Sequence, residues 1–200
     1  MVRSDIFRSG ESEEAFKPPQ DTLLDLPPQF TLDELSTELL NLMVKFSKGM
    51  ALMTFAKQTT SVEEQDHILE ECVIFYWWYL AQLIQGRTTI QERIHIEFRD
   101  FLREWQRVRR HVRHYKTKSK IRHQQYDAIF LEAAGSAKFA ENFTPILVEI
   151  ILCGDELCVW TPSIQTGITD CIQVFARLIV QVLSVPMTHG VTCEGSNLSN

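Results

Sequence analysis

The sequence lacks any loop that could cradle a phosphate. Its eight glycines are scattered, and none falls in the pattern G-x-x-x-x-G-K-[S/T], whose backbone N–H groups hold nucleotide phosphates. No H-E-x-x-H zinc motif occurs. His111 and His114 sit three apart, but Arg109, Arg110 and Arg113 surround them with charge that opposes a cation. The five cysteines (Cys72, Cys153, Cys158, Cys171 and Cys193) form no C-x-x-C pair and are odd in number. Free thiols in a reducing compartment are the expectation. No nucleophile and base stand in a recognisable arrangement, so the chain is expected to have no catalytic residue, metal or cofactor. The N-terminal stretch is polar and acidic where a secretory leader would be apolar. The most apolar run, from Cys72 to Ile84, is shorter than the roughly 20 residues a spanning helix needs. It is expected to be a buried helix or an interface, with no membrane contact.

What is present is an ordinary globular composition of 200 residues with a net charge of −6. Modest acidity gives no whole-chain attraction to nucleic acid or anionic lipid. Residues 1–30 carry the pairs Pro18-Pro19 and Pro27-Pro28 among Ser, Glu, Asp and Gln, and are expected to be a disordered tail. Three hydroxyl residues then precede a Glu by three positions: Thr31 and Glu34, Ser61 and Glu64, Thr89 and Glu92. In this capping box each side chain satisfies a backbone N–H at a helix start.

Three long helices are therefore predicted over 31–134. The first carries the stripe Leu35, Leu39, Leu42, Phe46 and Met53, with Gly49 completing the spacing. The second is apolar on every side around Phe75, Trp77, Trp78 and Tyr79, and must be covered from several directions. Those four residues are expected to remain partly exposed in the free chain and to serve as a partner-binding surface. The third shows a heptad seam, Phe98, Phe101, Trp105, Val108, Val112 and Tyr115, whose phase runs on to Tyr126 and Ile129. It is predicted to be one continuous helix.

The strongest charge feature lies on that third helix. Arg107, Arg109, Arg110, Arg113, Lys116, Lys118, Lys120 and Arg122 follow one another without a carboxylate. Such a run is either a solvated face neutralised by neighbouring helices or a grip for an acidic partner or nucleic acid. Limited aromatic interleaving disfavours nucleic acid.

Residues 143–186 read as a β-hairpin and a helix. Ile146, Val148, Ile150 and Leu152 alternate with a period of two. Gly154-Asp155 suits a tight turn. The return strand would set Leu157 and Val159 opposite Leu152 and Ile150. After Thr161-Pro162-Ser163 comes a stripe of Ile164, Ile168, Ile172, Phe175, Ile179 and Val182, stopped by Pro186. The predicted fold is mainly α, a bundle of long helices with one β-hairpin and a C-terminal helix packed on it. Residues 187–200 are expected to fray.

The order Phe143-Thr144-Pro145, alternating strand, Gly154-Asp155-Glu156 turn, Pro162-Ser163-Ile164 and closing Val185-Pro186 resembles a stretch of the dynein heavy chain stem. The axonemal members of that family are the more similar. The resemblance covers about a fifth of the chain firmly and about half loosely, on general pattern grounds. It implies a structural segment of a microtubule-based motor, in the cytoplasm at the cytoskeleton or ciliary axoneme. It further implies contacts with dynein intermediate or light chains or neighbouring stem segments, and only indirect contact with microtubules. The family's AAA+ ATPase modules match nothing here, so no motor activity attaches to any residue. The alternative is a free-standing helical protein whose basic stretch binds nucleic acid or an acidic partner.

Overall fold

The computed structural model describes residues 24–55, 61–109, 114–133, 139–152 and 162–188. They form six helices: α1 (Leu32–Phe55), α2 (Val62–Leu83), α3 (Thr88–Val108), α4 (Tyr115–Ala133), α5 (Phe139–Leu152) and α6 (Pro162–Ser184).

Two of the three capping boxes form. Glu34 N–H donates to Thr31 Oγ1 and Thr31 N–H to Glu34 Oε2, and the same reciprocal pair joins Ser61 and Glu64. These local bonds lock the starts of α1 and α2. The third box does not form. Gly86 takes φ 84° at the end of α2, a conformation glycine adopts without strain. After it α3 starts at Thr88, with Arg87 as N-cap and no side-chain cap.

The arrangement follows from which faces are apolar. α1 packs on α2, α3 and α6, so its buried residues (among them Leu35, Leu40, Met43, Phe46 and Met50) exceed a single stripe. It runs antiparallel to α6, whose start lies near its end, with Gly167 beside Met53. At the opposite end of α6, Phe30 N–H donates to the Pro186 carbonyl (3.0 Å) and Thr188 N–H to the Phe30 carbonyl (2.8 Å). This single bridge ties Phe30, expected in the N-terminal tail, and Met187, expected in the C-terminal one, across the molecule. The 31–134 and 143–186 segments share one core, because α6 packs on α1 and α5 packs on α2 and α6.

Two sequence expectations are corrected. Residues 143–152, read as a strand entry and first strand, are helical in α5. A run this rich in apolar residues fits either period, and packing decides. Phe143 and Leu147, one turn apart, are both buried, and adjacent Ile146 also packs on the core. A strand would turn neighbours Ile146 and Leu147 to opposite faces. The helix accommodates Pro145, which lies exposed within it. The proposed turn at Gly154-Asp155 and the return strand through Leu157 and Val159 lie outside the described residues, as do Cys153, Cys158 and Cys193.

The long third helix is also two helices. Arg109 is extended (φ −110°, ψ 103°) at the end of α3. Tyr115, opening α4, has its ring 6.1 Å from Phe98 and 6.4 Å from Trp105. Along a continuous helix Phe98 and Tyr115 would stand about 25 Å apart, so the chain must fold back between them.

Among the described residues α6 is also the one helix long and apolar enough, by length and composition, to cross a membrane. Its stripe, Ile168, Ile172, Phe175, Ile179 and Val182, is buried against the bundle, while Thr166, Asp170, Gln173 and Arg177 are exposed. That is the pattern of a helix covering a core.

Candidate functional site

The four aromatic residues expected at a partner surface are core residues instead, which corrects that expectation. Phe75 is wholly buried, Trp78 almost so, and Trp77 and Tyr79 nearly so. Trp77 lies face to face on Phe98, with centroids 3.7 Å apart. Phe75 meets Tyr126 and Phe143 at 5.7 and 5.2 Å. Trp78 meets Phe143 at 5.6 Å, and Tyr79 meets Phe139 at 5.2 Å and Phe175 at 6.0 Å. The all-apolar half of α2 is thus covered by α3, α4, α5 and α6 of its own chain. Burial pushes the Tyr79 hydroxyl up to about 12, so it stays neutral.

The other half of α2 is buried differently. Asp66, Glu70 and Glu71 are sequestered, and each meets a base of the cationic stretch. Arg109 donates to Asp66 Oδ1 (2.9 Å). The Lys118 ammonium donates to the Glu70 carboxylate. Arg122 reaches both Glu71 oxygens, Nε at 3.1 Å and Nη2 at 3.4 Å, the two-pronged geometry that suits guanidinium and carboxylate planes. Arg122 also donates to Gln125 Oε1 (3.1 Å), and the Trp78 indole N–H donates to Asp127 Oδ1 (2.8 Å). Partner numbers rise together on α2 and α4, so the two helices lie parallel with this seam between them.

Lys118 also approaches His67 Nδ1 at 3.0 Å. An ammonium can only donate, so this ring nitrogen accepts and the imidazole is neutral. Burial, then the Lys118 charge, lowers the His67 pKa. Burial raises the Glu70 carboxyl above the ordinary carboxylate value, and Lys118 opposes that shift without cancelling it. Glu70 Oε1 is buried without a hydrogen-bond partner, as are the Tyr115 and Tyr126 hydroxyls. Burial raises the pKa of both tyrosines, so they remain phenols.

The remaining cationic residues are placed as follows. Arg107 is exposed and pairs with Glu104 on its own helix (2.5 Å). Lys116 and Lys120 are exposed on the outer side of α4. Arg110 and Arg113 lie outside the described residues. The acids that neutralise the stretch were missed in the sequence. Their signal was there: Glu70 and Glu71 interrupt an apolar helix, and a carboxylate amid buried residues calls for a cation. Among the described residues no three His, Cys, Asp or Glu side chains gather as a metal site. Cys72 and Cys171 are buried free thiols, and burial pushes Cys171 up to about 12, far from the thiolate form that reacts or binds metal. No family model matches this chain, and neither curated proteins nor solved structures give a match.

Proposed function

We propose that the chain is a non-catalytic structural segment of the dynein heavy chain stem type, acting by contact with other subunits of a microtubule-based motor complex. One observation carries this reading: α6 opens at Pro162-Ser163-Ile164 and ends just before Val185-Pro186, the two marks that bound the corresponding helix in the resemblance. The strand order within 143–152 is no part of the support, because that segment is helical. Partners of this kind are dynein intermediate or light chains or adjoining stem segments, at the axoneme.

The test is co-elution of the purified chain with axonemal dynein intermediate and light chains in gel filtration. A stoichiometric complex is expected, and separate elution at micromolar concentrations of both overturns the reading.

The alternative, a basic helix gripping nucleic acid or an acidic partner, draws on the exposed Lys116 and Lys120. It is the weaker reading, because Arg109, Lys118 and Arg122 are engaged by acids of α2. Phosphate binding would appear as affinity falling steeply with salt; a flat salt response excludes it.

A further inference from the structure

The seam between α2, α4 and the end of α3 holds three acids and three bases. Asp66, Glu70 and Glu71 on α2 face Arg109 at the end of α3 and Lys118 and Arg122 on α4. The site is already neutral, and the neutral His67 ring serves it as an acceptor. We propose that His67 makes this contact proton-sensitive: a proton on Nδ1 removes the acceptor for Lys118, sets a second cation 3.0 Å from the ammonium, and loosens the first half of α4 from α2.

The surrounding groups decide the direction. Lys118 and Arg122 oppose a charge on His67, and Glu71 favours one. Glu70 is occupied by Lys118. His114, exposed just before α4, favours the charged form of Glu70. Burial and Lys118 together outweigh Glu71, so the packed state binds the proton less readily than the opened one. By linkage, the hold on α4 is complete above the ordinary histidine value and is lost as pH falls through and below it. His123 is a second ring at the same contact. It lies under α2 near Ile74 and beside Asp127, and burial lowers its pKa too. The test must therefore separate the two histidines. The inference is independent of the dynein-type reading, since it concerns only contacts within the chain.

Amide hydrogen exchange of the intact chain reads it, with α4 compared against α1 and α6 in the same sample. Between about pH 7.5 and about pH 5.5, either side of the ordinary histidine value, α4 should lose protection severalfold relative to α1 and α6. His67→Asn keeps an acceptor for Lys118 and cannot take up the proton, so this loss should shrink clearly in that variant. In a second measurement, NMR titration of the His67 ring, Lys118→Met should raise its midpoint toward the ordinary value. The proposal is overturned if α4 keeps its relative protection in acid. It is equally overturned if the loss is unchanged in His67→Asn, or if the His67 midpoint ignores Lys118→Met.

Discussion

Two buried stretches of α2, Asp66–Glu71 and Phe75–Leu80, are covered by opposite chemistry. From Phe75 onward the cover is aromatic, supplied by Phe98, Tyr126, Phe143 and Phe175. From Asp66 to Glu71 the cover is ionic, supplied by Arg109, Lys118 and Arg122. Apolar surface is non-directional, so any well-shaped neighbour can bury the aromatic half. A buried carboxylate is costly unless it meets a base in good geometry. The ionic half therefore accepts only a helix with cations at matching spacing and in one register. On this view the aromatic half supplies most of the stability, and the ionic half selects α4 as the parallel neighbour.

The largest expected effect lies in the aromatic half. Phe75→Ala should destabilise the chain by about 3–5 kcal/mol in chemical denaturation, from lost transfer energy and the cavity left among Tyr126, Phe143 and Tyr79. A loss below about 1 kcal/mol would show that the cover is loose.

Next comes the ionic half. Glu71→Leu strands Arg122, and with the Arg122 side chain 23% exposed part of that charge can turn to water. The expected cost is about 2–3 kcal/mol, below the full cost of a buried orphan charge. Adding Arg122→Met should recover most of it, because two apolar side chains can replace a buried pair. Denaturation of both singles and the double measures the coupling; additive losses would mean the pair chooses nothing.

A smaller effect sharpens the comparison through pH. Burial holds the Glu70 pKa above its ordinary value of 4.5, so the folded chain takes up this proton more readily than the unfolded one. That contribution to stability is full below the ordinary value and is lost as pH rises through the raised one. Wild type should therefore gain stability over Glu70→Gln as the solution is acidified from neutral toward pH 4.5, followed by thermal melts of both. A drift the other way would show that Lys118 outweighs burial. The smallest effect belongs to the exposed pair of Arg107 and Glu104. Arg107→Ala should leave the melting temperature unchanged, since solvated pairs contribute little.

Much of the helical skeleton was legible in the sequence for a local reason. The boxes at Thr31 and Ser61 and the 3.6-residue stripes of α1 and α6 act within a few residues, so no distant contact is needed to read them. The requirement that the Phe75–Tyr79 stretch be covered on several sides was legible too. That the chain itself provides the cover was not, because α5 was taken for a strand. Between 146 and 152 every residue but Glu149 is apolar, and so dense a run satisfies the strand period and the helix period alike. The break after Val108 was hidden because Tyr115 continues the heptad phase while packing back on Phe98.

The starts of α1 and α2 and the buried stripe of α6 were readable from the chain alone, as consequences of short-range spacing. The sequence also placed a cationic run without showing what it was for. That Arg109, Lys118 and Arg122 are spent on Asp66, Glu70 and Glu71 emerged from the packing of the helices. The reason is physical. Charges about 50 positions apart in the chain pair only when packing brings their helices side by side, and which helices pack depends on the sum of apolar faces rather than on any one spacing.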